Sequence, residues 1–464
     1  MSPKKTLTSV VQRRAIDRIL KLATSESKRS ILLAAQLAEK MTPAYRKREV
    51  NWVIDQVRDE TPVLQIARHV ARDLNPTVRR AVIQNLILNG LLQTSATRAA
   101  FTERTGAHTP LTVLISPTMR CNLTCEGCFA AEYSPDADLS LELLQSIIDQ
   151  ANGIGIHIFT ILGGEPFLRK DIIDFAAANP ESFFQIYTNG TLLDEEKIAR
   201  LAEIGNVAPM LSIEGDRETT DRRRGEGVYD LILDSMDKLS KAGVGFGYSA
   251  TVTRRNFRYL TSDEFIEPLV SRGCIMGWNF LYMPIGRDPD MSLMLTPEER
   301  YEFRESVLRV RATKPLFCLD FWGDAPLVGG CIAAKWYIHI TSEGWVEPCI
   351  FTHFATHNIK TSTLEEALTS PFFEEIRKRQ PFNENLLMPC MLIDNPHHSR
   401  EIMAKTGARP THPGAETILE DLVPQIDEYA AEVDRVYTPV WSCMGGDPLT
   451  EYTEHRRAKE QVKA

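Results

Sequence analysis

Arg120-Cys121-Asn122-Leu123-Thr124-Cys125-Glu126-Gly127-Cys128-Phe129 is the stretch on which the reading of this chain turns. It brings three thiols close together, shortly after an apolar run, Val113-Leu114-Ile115-Ser116, that predicts a strand. Soft thiolates in such number select an iron–sulfur cluster or zinc. A structural zinc site is closed by four ligands, and no fourth Cys or His lies nearby in the sequence. Three ligands to a four-iron cluster would leave one iron free to bind a further group.

Moving outward, a second apolar run at residues 156–162 ends in Gly163-Gly164-Glu165-Pro166. Glycines let a backbone approach a ligand closely, and a carboxylate can accept hydrogen bonds from an ammonium. Together the Cys-x3-Cys-x2-Cys spacing and the Gly-Gly-Glu-Pro turn resemble the radical S-adenosylmethionine (radical SAM) superfamily. The resemblance implies that Cys121, Cys125 and Cys128 hold a [4Fe-4S] cluster. Its free iron would chelate the methionine moiety of S-adenosylmethionine (SAM), and one electron would cleave the sulfonium to a 5′-deoxyadenosyl radical. It further implies that Gly163, Gly164 and Glu165 orient that methionine, and that the electron comes from a donor such as ferredoxin or flavodoxin.

Strand and helix patterns alternate from about residue 110 to 285. Strands are expected at 112–116, 156–162, 183–187, 209–213, 245–252 and 277–283, with helices at 141–151, 193–204, 229–242 and 263–272. Such alternation favours a parallel sheet with right-handed crossovers, and active sites of parallel β/α barrels lie at the carboxyl ends of their strands. The resemblance makes this an α/β partial (β/α)6 barrel, residues 106–310. After the third strand, Asn189 in Tyr187-Thr188-Asn189-Gly190 is expected at the cofactor rim. After the fourth, Ser212 and Glu214 alternate onto one side, where a hydroxyl and a carboxylate suit the diol of a ribose. Asn279 and Tyr282 are weaker candidates for the adenosine side. Many family members carry an aromatic residue just before the third cysteine; here that position is Gly127, with Phe129 as a replacement.

Farther on, Cys331 and Cys349 flank a predicted hairpin, residues 336–340 and 345–346 around Ser342-Glu343-Gly344, and Cys390 follows. This resembles the start of a SPASM or Twitch extension, residues 311–400, and implies one auxiliary iron–sulfur cluster on Cys331, Cys349 and Cys390. Cys318 is the preferred fourth ligand, with Cys443, Asp394 or an open site as rivals, and zinc as the alternative metal. Cys274 is expected in the core.

Within a basic domain placed at 1–105, residues 8 to about 95 read as helical throughout, from apolar positions such as Val11, Ile16, Ile19, Leu20 and Leu22. Thr42-Pro43 and Thr61-Pro62 are expected as helix starts, and Asn75-Pro76 and Asn89-Gly90 as breaks. This region holds 19 Lys+Arg against 9 Asp+Glu, a net +10, so the rest of the chain, whose total is −9, carries −19. The asymmetry suits an anionic partner: lipid headgroups, nucleic acid, an anionic substrate or the protein's own acidic part. A helical tail, 401–464, is expected to cover the active-site mouth.

At 464 residues the chain supports two or three domains, and it contains no apolar run of about 18 residues to span a membrane. The N-terminus lacks a signal-peptide core, and nine cysteines in ligand-like spacing suit a reducing interior. The expectation is a cytoplasmic protein, with peripheral membrane association left open. Three functions are weighed. A radical SAM enzyme that modifies an unactivated carbon of a small molecule or lipid is preferred, over a peptide or protein maturase and a non-catalytic iron–sulfur binding protein.

Overall fold

The structure is a computed structural model that describes residues 18–19, 21–42 and 47–445. Val11, Ile16, Leu20, Pro43 and the tail beyond 445 lie outside the described residues. Seven parallel strands form the main sheet: β1 (Thr112–Ile115), β2 (Ile158–Ile161), β3 (Phe183–Thr188), β4 (Val207–Ser212), β5 (Gly247–Val252), β6 (Met276–Leu281) and β7 (Phe317–Asp320). Each pairs in parallel with its sequence neighbour. The first six match the expected strands to within two residues or so at each end. β7 was not foreseen.

The hairpin joins the same sheet. β8 (Tyr337–Ile340) pairs in parallel with β1, placing His339 beside Leu114, and β9 (Val346–Glu347) returns antiparallel with Glu347 opposite His339. The order is therefore β7-β6-β5-β4-β3-β2-β1-β8-β9. A bare edge at β1 would expose a row of unpaired amides, and β8 covers it. The auxiliary segment is thus continuous with the barrel wall.

The crossover helices form where expected, at Leu141–Gly153, Glu195–Ile204, Val228–Lys241 and Asp263–Ser271. Ser140, Asp194 and Ser262 cap three of them, each side chain accepting a backbone N–H of the first turn. A further helix, Pro297–Thr313, starts with a capping box of Thr296 and Glu299 and leads into β7.

Helices Lys28–Met41, Lys47–Arg58 and Pro62–Arg72 share a small core of Ile31, Val57 and Leu64. The next helices pack into the barrel instead. Asn75 N–H donates to Gly243 O at 2.8 Å, Asn85 Nδ2 donates to Pro180 O at 2.8 Å, and Phe101 joins the main core. Asn89-Gly90 is not a break. It lies within a π-helical run, Val82–Gln93, where a Cβ on Gly90 would stand 2.6 Å from Ile158 Cγ1. Close packing, not chain reversal, asks for that glycine. Thr42 is the C-cap of the helix Lys28–Met41, and the start expected at Pro43 lies outside the described residues.

The tail helix, Val423–Cys443, packs against helices Pro297–Thr313 and Pro396–Thr406 and buries Ile426, Tyr429, Val433 and Tyr437. It backs the auxiliary segment, and residues 446–464 of the expected tail lie outside the described residues.

Candidate functional site

Residues 117–133 leave the carboxyl end of β1 as a loop, with Cys121 exposed and Cys125 and Cys128 half-buried. Partial burial, then the negative charges of Glu165, Cys125 and Cys128, push the Cys121 thiol up, so the three thiols share one neighbourhood. Asn189 reaches the first of them: its Nδ2 lies 4.0 Å from Cys121 Sγ and 2.8 Å from Asn122 Oδ1. A donor aimed at a cysteine sulfur suits a thiolate-held cluster, whose charge such bonds stabilise.

The Gly163-Gly164-Glu165 turn grips this loop. Gly164 N–H donates to Thr118 O at 3.0 Å and Glu165 N–H to Arg120 O at 2.8 Å. A Cβ on Gly163, which holds φ +116°, would stand 2.3 Å from Thr118 O, and one on Gly164 would stand 2.1 Å from Arg120 O. The close approach that requires glycine is therefore to the cysteine loop itself. The Glu165 carboxylate is buried and accepts from Phe167 N–H, Thr188 Oγ1 and Asn189 N–H at 3.1, 2.8 and 2.7 Å. Burial outweighs these donors and raises its pKa. Glu165 ties β2, β3 and the cysteine loop into one rim.

Glu214 departs from expectation. Its carboxylate is buried against Arg223 at 2.7 Å and against Arg224, and its other oxygen accepts Thr251 N–H at 2.9 Å. Burial works to raise its pKa, but the two guanidiniums outweigh it and hold the carboxyl below its usual range. With both oxygens engaged, Glu214 is an internal counter-ion here. Ser212 is occupied too, its Oγ 3.3 Å from Ser249 Oγ. Arg224 lies within electrostatic reach of Cys125 and Cys128, and the charge of both arginines works to lower the Cys125 pKa against its burial. The Arg222-Arg223-Arg224 run was the signal available in the sequence.

Gly127, at φ +59°, leaves room that another residue fills. A Cβ there would meet Tyr282 Cε2 at 2.9 Å. The aromatic neighbour of the third cysteine thus arrives from the end of β6, while Phe129 turns away to pack on Phe351, ring centroids 5.8 Å apart. Asn279 is a packing residue, bonded to Leu319 O at 2.9 Å.

Cys331, Cys349 and Cys390 lie within electrostatic reach of one another: burial first, then the charges of Cys390 and Cys349, push the Cys331 thiol up. Donors surround these sulfurs. Tyr337 Oη donates to Cys349 Sγ at 2.8 Å, Phe351 N–H to the same sulfur at 3.4 Å, and Leu392 N–H to Cys390 Sγ at 3.4 Å. Cys318 is elsewhere. It lies on β7, 3.7 Å from Tyr248 Oη and 3.4 Å from Asn279 Nδ2, and burial pushes it up to about 11. Strand pairing with β6 fixes it in the barrel, which overturns its place as fourth ligand. Asp394 is consumed by a buried pair with Arg300 at 2.6 Å, and Cys443 is exposed at the end of the tail helix. Among the described residues no three His, Cys, Asp or Glu side chains close on one point, as a single zinc ion would require.

Between the two thiol sets runs an aromatic wall. Tyr187 on β3 approaches Phe280 on β6 at 6.2 Å; Phe280 meets Phe321 at 5.2 Å and Phe351 at 6.5 Å; Trp278 lies parallel to Phe280. Gln185, Tyr187, Trp278 and Phe280 alternate along central strands yet remain only half-buried. Side chains that far inside a sheet keep exposure only where they line an open lumen.

A buried polar chain, unforeseen in the sequence, joins the two segments. Ser116 Oγ lies 2.7 Å from His339 Nε2, and His339 Nδ1 lies 2.7 Å from Glu347 Oε2. Tyr133 and Thr411 both donate to Glu347 Oε1, at 2.8 and 2.5 Å. A lone histidine between Ile338 and Ile340 was the available signal.

Comparison with known proteins agrees with this geometry. The model of the radical SAM superfamily matches residues 115–256, and that of SPASM, an iron–sulfur cluster-binding domain, matches 331–391. The chain is 34% identical over 169 residues to an Fe-coproporphyrin III synthase of Methanosarcina barkeri, spanning 35% of this chain and only 42% of that relative. It is 31% identical over 302 residues to the mycofactocin maturase MftC of Mycobacterium ulcerans, spanning 61% of this chain and 79% of that one. Its fold is similar to that of Streptococcus suis SuiB. Bound to S-adenosylmethionine, SuiB matches with TM-score 0.53 and 20% identity over 61% of this chain and 72% of SuiB. SuiB has also been solved with its precursor peptide SuiA. The chain belongs to the radical SAM superfamily: it is an enzyme of a [4Fe-4S] cluster and SAM, with a SPASM domain for auxiliary iron–sulfur binding.

Proposed function

We propose that Cys121, Cys125 and Cys128 hold the SAM-binding cluster and Cys331, Cys349 and Cys390 a single auxiliary cluster. The substrate is a small molecule or lipid with an apolar face, bound in the lumen between them. The observation that carries this reading is the half-buried aromatic wall of Tyr187, Trp278, Phe280 and Phe321. When bound, cluster and SAM supply a 5′-deoxyadenosyl radical that takes a hydrogen atom from carbon or adds to an unsaturated one. The chain's own residues do the rest. Glu165 fixes the rim that carries the first thiols, Arg223 and Arg224 offset their negative charge, and the aromatic rings exclude water and hold a flat or greasy substrate by stacking.

The alternative, a peptide maturase, is favoured by the likeness to SuiB, a protein solved with a precursor peptide. A ferredoxin- or flavodoxin-type donor would supply the electron, and the basic N-terminal helices would meet an anionic substrate or surface. The test is anaerobic incubation of the reconstituted enzyme with SAM, reductant and extract of its own host, followed by untargeted mass spectrometry. A changed small molecule or lipid, lost in Phe280→Ala, supports the proposal; a changed peptide with no changed small molecule contradicts it.

A further inference from the structure

Tyr337 is the first residue of β8, and it is almost wholly buried. Its ring lies edge-on to Phe321 of the lumen wall at 6.0 Å, while its hydroxyl is aimed the other way, 2.8 Å from Cys349 Sγ. It therefore stands between the lumen and the second thiol set. The three sulfurs are not equally served. Cys331 and Cys390 have backbone donors, at Ala333 and at Leu392 and Ile393, whereas Cys349 has, besides backbone donors and the Thr352 side chain, a phenolic O–H brought from the opposite strand of the hairpin.

Resting on the ligand reading above, we infer that Tyr337 is the residue that sets the reduction potential of the auxiliary cluster, by hydrogen bonding to the Cys349 sulfur. Reduction adds one negative charge to a thiolate-held cluster, and part of that charge resides on the sulfurs. A donor fixed on a sulfur favours the more negative state, so it raises the potential. The raised potential makes the auxiliary site a better acceptor for the electron left on a product radical in the lumen. Tyr337 is a positioning and tuning residue, acting through Cys349.

Tyr337→Phe deletes the oxygen and keeps the ring, so the packing against Phe321 survives. In the anaerobically reconstituted holoenzyme, midpoint potentials of both clusters are read by a titration followed by electron paramagnetic resonance, with iron counted on the same samples. The expected result is full iron, an unchanged SAM-binding cluster and an auxiliary cluster reduced at clearly lower potential. An auxiliary potential equal to wild type overturns the proposal, as does an equal shift of both clusters, which would mean a general disturbance. Loss of half the iron in Y337F also overturns it, by making Tyr337 necessary for holding the cluster. Wild type with only about four irons per chain would instead fail the ligand reading on which the inference stands.

Discussion

Glu214 carries a buried negative charge that two arginines neutralise beside Cys125 and Cys128. Removing one partner of such a pair strands the other charges, at about 3–5 kcal/mol. Glu214→Ala should therefore lower the stability of the apoprotein by about that amount in a denaturant titration, whereas a ribose ligand at the surface would leave it unchanged. His353 gives a second residue-scale expectation. Its Nε2 faces Ile350 O at 2.8 Å and so donates, and its Nδ1 lies 2.7 Å from His412 Nε2. Burial pushes the His353 pKa down from 6.5 to about 4, despite the opposing charge of Glu347. The unfolded chain then binds the proton more tightly. The stabilisation is complete above pH 6.5 and is lost as pH falls from about 6.5 to about 4, by about 3 kcal/mol in all. Unfolding followed across that window should show the loss, and His353→Gln should abolish most of it.

Gly163 and Gly164 act at the scale of the element, since their turn holds the cysteine loop by its backbone. A methyl group on Gly164 would collide with the Arg120 carbonyl, a backbone atom that can yield only if the loop moves. Gly164→Ala should cost the SAM-binding cluster, roughly half the bound iron, with the auxiliary iron retained; full iron in that variant would mean that the turn tolerates a side chain. These glycines were legible in the sequence because they stand at a strand end beyond a cysteine motif. The six strands were legible for a similar reason: apolar runs bounded by turn residues carry their own period. β7 and the docking of β8 on β1 were not, because edge pairing depends on which strand lies nearby in space and leaves no local period. Cys318 was misplaced for the same cause, as its spacing to Cys331 says nothing of the β6 pairing that fixes it. Glu214 showed its residue type but not its partners, which come from the following helix.

Across the whole molecule, the N-terminal segment divides its work. We place the boundary of an independent helical unit near residue 73, because Asn75, Asn85, Gly90 and Phe101 all pack into the barrel. A deletion of residues 1–105 should therefore leave insoluble protein, while one of residues 1–73, which removes the three helices together, tests recruitment. Many of the described charges there are already paired, among them Lys28 with Glu60 and Arg58 with Asp55, which limits what remains for an anionic partner. Exposed charges are screened within about 8 Å at physiological salt, so binding of anionic vesicles at low salt should fall steeply on adding salt; no binding at low salt would make the unit structural. The central claim, two thiol sets holding two clusters on one sheet, is tested most directly by Cys121→Ala, Cys125→Ala and Cys128→Ala made together. Iron should fall from about eight to about four per chain, and reductive cleavage of SAM with dithionite should cease; 5′-deoxyadenosine still forming in the triple variant would contradict it.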